Sequence, residues 1–147
     1  ADLDEIARAR EVVGRMLSRD GFSQWLGVEV LDARVGYSRI RMTVRPDMLN
    51  GFGTSHGGIV FSFADSAFAF ATNAAGTLSV AIDASISFPV AVHVGDVLTA
   101  VAEQDSVTNK LGFCHVTVRN QRDVIVGHFR GTVYRTSRAH FPSDAST

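Results

Sequence analysis

A single cysteine, Cys114, excludes both a disulfide within the chain and a cysteine-rich zinc site. Histidine is equally unpromising as a metal ligand. His56, His93, His115, His128 and His140 contain no i,i+4 pair and no HExxH pattern, so we expect neither a metal nor any other cofactor. Charge of one sign is missing too. Fourteen basic against fifteen acidic residues leave a net charge of −1, which removes the electrostatic footprint of a general nucleic-acid binder. The apolar run that starts at Ile59 is broken by Ser62, Asp65, Ser66 and Thr72, far short of a bilayer span. No stretch reads as a signal peptide or membrane anchor, so the cytoplasm is the expected location. At 147 residues the chain is expected to be one domain, large enough to bury a core.

The informative stretch is residues 50–73, NGFGTSHGGIVFSFADSAFAFATN. A glycine-rich lead-in is followed by a helix-length segment that is apolar on nearly every side, and such a helix is enclosed rather than laid on a surface. We expect a buried helix over residues 57–75, capped by Ser55 or Thr54. Asp65 falls in its middle. A carboxylate buried without partners would cost several kcal/mol, so it needs partners, solvent or a task. At the mouth, Gly57 and Gly58 let a ligand approach the first N–H groups, which lack intrahelical acceptors and lie at the positive end of the helix dipole. Bare donors plus a buried carboxylate make a plausible acyl-transfer site. Yet eight residues separate Gly57 from Asp65, roughly 12 Å along a helix axis. If both serve one reacting carbonyl, they must come from different subunits.

The HGG, the ADSAFA that follows it after five residues, and the preceding MLNG closely resemble the hotdog-fold acyl-CoA thioesterases, most of all the phenylacetic-acid-degradation branch and more distantly the 4-hydroxybenzoyl-CoA thioesterases. The likeness continues through SISFPVAVHVGDVLTA and GHFRGTVYR and covers roughly residues 20–136. It implies an antiparallel sheet wrapped around a long central helix, in dimers whose helices face each other. It also implies Asp65 as the catalytic acid, Gly57 as the oxyanion-hole amide, Asn50 as the amide that positions thioester or water, and His56 as the histidine beside the glycines. A homodimer with shared sites is expected, assembled further as a dimer of dimers, a homotetramer.

Residues 1–20 carry Leu3, Ile6, Val13, Met16 and Leu17 at helical spacing, which predicts a helix packed on the rim or serving as a lid. The segments VEVLDARV and YSRIRMTV form a hairpin around Gly36, with Ile40, Met42 and Val44 facing the core and Arg39, Arg41 and Arg45 outside. That arginine row is either a solvated face or an attraction for coenzyme A phosphates. After the helix, which ends near Gly76, come a strand over 78–88 and three further strands joined by short polar turns, an antiparallel meander. One helix inserted in such a run makes the fold α+β. Residues 137–147 show no pattern and are expected as a loose tail.

Phe52 in the lead-in and Phe61 on the helix are candidates for the acyl pocket, with Gly58 at its mouth. On helical spacing Phe61, Phe68, Ala69 and Thr72 share the face of Asp65, and small Ala69 leaves room beside the carboxylate. Asn109 and Lys110, with Gly112 in the same turn, are the candidates for coenzyme A contacts. His56 supports the oxyanion loop or joins the catalysis. Asp65 either attacks the carbonyl or acts as a general base on water. No histidine lies within the helix to activate Ser62 or Ser66, which argues against a serine hydrolase. The expected function is hydrolysis of aryl or arylacetyl-CoA thioesters, with phenylacetyl-CoA or ring-hydroxylated relatives as substrate. The alternatives are a hotdog dehydratase or isomerase on carrier-bound acyl chains, and a non-catalytic acyl-CoA-binding subunit. The first would place a histidine where this chain has Gly51.

Overall fold

The computed structural model of the chain describes residues 2–141. Two helices lead, α1 (Leu3–Arg19) and α2 (Gly21–Leu26), followed by β1 (Glu29–Arg34) and β2 (Tyr37–Thr43). A 3-10 turn at Pro46–Met48 precedes α3 (Gly57–Asn73), and then come β3 (Thr77–Ser87), β4 (Val97–Val107), β5 (Leu111–Arg119) and β6 (Ile125–Ala139). The six strands make one sheet in the order β1-β2-β4-β5-β6-β3, with every neighbouring pair antiparallel. The chain leaves the sheet after β2, crosses its whole face as α3, and re-enters at the far edge as β3. The expected α+β architecture, a sheet curled around one long helix, is therefore present.

Alternation in the strands explains why the helix sits there. Ile40 and Met42 of β2, Leu98, Ala100 and Ala102 of β4, and Cys114, Val116 and Val118 of β5 are all buried, and β2, β4 and β5 all pack against α3. Small residues set the close approach. A Cβ on Gly131 would lie 2.6 Å from the Phe68 ring, and one on Gly127 3.4 Å from Val60. Phe68 and Phe61 then close on Phe129 of β6, with ring centroids 5.4 and 5.5 Å apart. The buried side of α3 has few polar anchors, and two of its carbonyls are taken. The buried Ser38 hydroxyl donates to the Ala67 carbonyl at 2.7 Å, and Gly36 N–H donates to Ala71.

The helix ends were legible only in part. His56, not Ser55 or Thr54, is the N-cap, because its Nδ1 accepts the Gly58 N–H at 2.9 Å. At the other end α3 stops at Asn73, two residues short of expectation, and Gly76 follows with φ +92°. The Asn73 amide holds four groups there. Its Nδ2 donates to the carbonyls of Ala69 and Ser79, while its Oδ1 accepts from Ser79 N–H and from His140 Nε2. This latch is one reason the expected tail does not begin at 137: residues 137–139 belong to β6, and His140 N–H donates to the Gly76 carbonyl. The rest of the expected tail, 142–147, lies outside the described residues. In α1 it is Ala9, Val12 and Val13 that are buried, against β1 and α3, while Leu3 is exposed.

Because the Phe68 ring is enclosed and has no room to yield, Gly131→Ala is expected to destabilise the fold by about 1–3 kcal/mol, the usual range for overpacking. Denaturant unfolding of the two proteins measures it, and equal midpoints would mean the ring has slack.

Candidate active site

The loop ahead of α3 is tied by one side chain. Asn50 Oδ1 accepts from Phe52 N–H (2.8 Å) and Thr54 N–H (3.2 Å), and its Nδ2 donates to Thr54 Oγ1 (3.0 Å). Asn50 N–H in turn donates to the Thr54 carbonyl, Ser55 N–H to Val92, and His56 N–H to Met48. The loop is thus pinned at both flanks, with Phe52 at its tip 94% exposed. The sequence reading expected Asn50 to face thioester or water. In the folded chain its carbonyl is committed to the loop, which leaves only a second amide hydrogen for anything else.

The first helical turn then sorts its donors. Gly58 N–H goes to the His56 ring and Ile59 N–H to the His56 carbonyl. Accepting at Nδ1 places the proton of the neutral ring on Nε2. Among the described residues the Gly57 N–H has no acceptor. Phe88, half exposed at the end of β3, lies over it; a Cβ at position 57 would meet the ring at 3.3 Å, and one at 58 would meet the imidazole at 3.1 Å. A side chain at either position would have to push its neighbour aside, and Phe88 packs beside Gly57, a contact the sequence reading missed.

Asp65 is half-buried and makes no hydrogen bond or ion pair among the described residues. Burial raises its pKa above the ordinary aspartate value, and repulsion from Asp20 adds to the rise. Asp20 arrives there through a hydroxyl chain. It caps α2 by accepting Ser23 N–H, Ser23 Oγ donates to its carboxylate at 2.5 Å, and Ser23 Oγ lies 2.7 Å from Ser66 Oγ, beside Asp65 on α3. The pattern of aspartate three residues before serine reads as a cap. Its docking on Ser66, 43 residues away, had no sequence signal. That contact also occupies Ser66, and Cys114 is equally inert because burial pushes its thiol up to about 12.

Within one chain the expected site residues fall into three groups. Asn50, Phe52, His56, Gly57 and Gly58 cluster at the start of α3. Phe61, Asp65 and Ala69 form one half-buried face in its middle. Asn109 and Lys110 border a cavity at its far end, with Ala71 and Thr72. No group of three or more His, Cys, Asp or Glu among the described residues could hold a metal ion. No helix among them is long and apolar enough to cross a membrane.

The raised pKa of Asp65 has a consequence for stability. The folded chain binds that proton more tightly than the unfolded chain, so stability is lost as pH rises from the ordinary aspartate range through the raised value. Asp65→Asn removes that loss. The variant should be more stable than the parent at neutral pH, with the gap closing in acid below the ordinary aspartate range. Urea unfolding at both pH values reads it, and a less stable variant at neutral pH would contradict the assignment of Asp65 as an unpartnered carboxylate.

Comparison with known proteins identifies the family. Residues 52–126 match the thioesterase superfamily. The acyl-coenzyme A thioesterase PaaI of Escherichia coli K12 is 36% identical over 120 residues, covering 82% of this chain and 86% of that protein. A structure of the E. coli PaaI protein, from the phenylacetic acid degradation operon, superposes with a TM-score of 0.89 at 32% identity, over 92% of this chain and 98% of that one. A Streptococcus pneumoniae thioesterase solved with coenzyme A gives a TM-score of 0.73 at 25% identity, over 76% of this chain and 88% of that one. With half the chain matched by the family and a curated relative above a third identical, the chain belongs to the thioesterase superfamily, among the hotdog-fold acyl-CoA thioesterases related to PaaI.

Proposed function

We propose that the protein hydrolyses aryl or arylacetyl-CoA thioesters at sites shared between two subunits. The observation that carries this is the pairing of one vacant N–H, at Gly57, with one partnerless carboxylate, Asp65, on a single rigid helix. A thioester carbonyl needs both at bonding distance: a donor for the oxygen that becomes negative, and a carboxylate for the attack. Eight helical residues keep them apart within one chain.

The edge of the sheet supplies the means to bring them together. β3 pairs with β6 on one side only, and its other edge is open with Val80 and Ile82 exposed to 43% and 59%. An open, apolar edge strand is a template for pairing with a second strand. A two-fold axis beside it would set two copies of α3 antiparallel and create two equivalent sites. In each, Gly57 N–H of one subunit polarises the carbonyl. Asp65 of the other either adds to that carbon or takes a proton from the attacking water. Collapse of the tetrahedral species then expels the thiolate, which takes up a proton as coenzyme A leaves; where Asp65 itself has added, a water then cleaves the acyl-aspartyl anhydride, releasing the acid and restoring the carboxylate. Asn50 keeps the loop in shape and His56 fixes Gly58. Phe52, Phe61 and Phe88 offer aromatic surface to the acyl group, which favours a short aryl chain over a long aliphatic one.

Two experiments test this reading. Thiol release from phenylacetyl-, benzoyl- and palmitoyl-CoA should give a higher kcat/KM for the aryl substrates, and a palmitoyl preference would overturn the substrate class. Asp65→Asn should lower turnover by at least ~100-fold while staying folded.

Sharing of the site is tested by mixing. Asp65→Ala and Asn50→Ala chains, each inactive alone, should on joint refolding recover roughly a quarter of parental activity, because half the dimers are heterodimers with one intact site. Heterodimers that form but stay silent would mean each site is built from a single chain.

A further inference from the structure

Two carboxylates approach each other in this chain with no cation between them. Asp20 stands at the joint of α1 and α2, and its charge acts on Asp65 in the middle of α3. Neither forms an ion pair among the described residues. Arg19, next to Asp20 in the chain, lies over the Phe141 ring instead. Stability alone would separate two such charges or give them a shared cation.

Asp20 is held firmly in place. Its Oδ1 accepts Ser23 N–H at 3.0 Å, and its Oδ2 accepts the Ser23 hydroxyl at 2.5 Å, the length of a hydrogen bond to an ionised oxygen. A hydroxyl has one hydrogen. With that hydrogen given to Asp20, Ser23 can only accept from Ser66 across the 2.7 Å between their oxygens, so every donor in the row points towards Asp20. The two serines are 1% and 7% exposed, which shields the row from water. It ends on the residue next to Asp65.

Other charges do not obscure the pair. Asp65 is the only ionisable side chain within α3, and α2 has none. From α1, Arg15 and Arg19 lie over Phe141, and Arg8 lies near Gly76 beyond the far end of α3. Asp32 of β1 pairs with Arg10 and Arg34. Among the described residues of the strands, the one fully buried ionisable side chain is Cys114, whose thiol stays protonated. Asp20 is left as the charge that acts on Asp65.

We propose that Asp20 is a positioning residue for the reaction: fixed through Ser23 and Ser66, its negative charge primes Asp65 to draw a proton from the attacking water. The water oxygen bonds to the thioester carbon, its proton passes to Asp65, and the departing thiolate later takes that proton and restores the carboxylate. Repulsion from Asp20 favours the protonated form that the first of these steps creates, in the same direction as burial does. The proposal rests on the thioesterase reading for its reaction, whereas the charge pair can be measured without it.

Asp20→Asn separates charge from structure. Asparagine caps a helix as well as aspartate does, and its amide can donate to Ser23, which then donates to Ser66; the contacts stay, reversed in direction, and the charge goes. Asp20→Ser, a second uncharged cap, covers a failure of the first variant to fold. The titration of Asp65 is read from the carbon-13 resonance of its carboxyl in aspartate-labelled protein, assigned by its absence in Asp65→Asn. In both Asp20 variants Asp65 should ionise at lower pH than in the parent, because the repulsion that favoured its proton is gone. The acid limb of kcat/KM for the preferred acyl-CoA should move down with it. On the plateau kcat should fall, by less than the ~100-fold expected of Asp65→Asn, and KM should hold.

A titration that stays put or moves up would overturn the proposal. So would a KM that rises while kcat and the acid limb are unchanged, which would leave Asp20 a helix cap alone. The two readings fail separately. A titration that moves down in a chain hydrolysing no thioester would uphold the charge pair and refute the enzyme. Hydrolysis whose acid limb ignores Asp20 would keep the enzyme and refute the positioning.

Discussion

The constraint on which this structure depends is the rigidity of one helix carrying two unmet needs. An α-helix does not bend eight residues back on themselves, so the vacant N–H at Gly57 and the bare carboxylate of Asp65 stay a fixed distance apart. Each is costly alone. A donor without an acceptor and a carboxylate raised by burial and by Asp20 both subtract from stability. The fold tolerates them because everything else around α3 is satisfied. Ser38, Ser66 and Asn73, the buried polar side chains that touch it, each have hydrogen-bond partners, and the glycines of β6 let its phenylalanines pack without a gap. Both deficits lie on half-buried positions of the helix, away from its fully buried side.

The rest of the chain can be read as support for that helix from its two ends. At the start, Asn50 and His56 spend their side chains on backbone N–H groups, so the loop ahead of Gly57 is ordered by its own side chains. At the finish, Asn73 and His140 join the helix to β3 and β6. The amino-terminal segment joins in the middle, through the two serine hydroxyls that lie 2.7 Å apart. Three independent attachments fix position, tilt and rotation of the helix relative to the sheet.

What sequence could tell about this arrangement follows from the range of the interactions. The meander, the buried helix and the central place of Asp65 were legible because period-two and all-round apolar patterns are local, and because HGG and ADSAFA form a long, specific motif. The identity of the N-cap was missed because two hydroxyl residues precede His56, and hydroxyls are the commoner caps; an imidazole nitrogen in the acceptor tautomer serves equally well here. Phe88 was read as the last residue of a strand, since nothing local indicates that it lies over a glycine thirty-one residues earlier. The pattern-free stretch after 136 proved to contain the end of β6, whose partner Thr77 lies about sixty residues back from Ala139. The last two misses concern contacts distant in sequence.

The placement of β3 beside β6 also sets an order of events as the chain is made. β3 is the third strand to be synthesised but its only partner in the sheet is the last, so it has nothing to pair with until the final strand emerges. During that interval both of its edges are open, and its apolar residues Val80 and Ile82 have no neighbour. A chain still attached to the ribosome therefore presents a strand that could pair promiscuously with other nascent chains. Only when β6 arrives does one edge close and the other acquire a defined register and face. The open edge of β3 therefore takes its final form only once the sheet is complete.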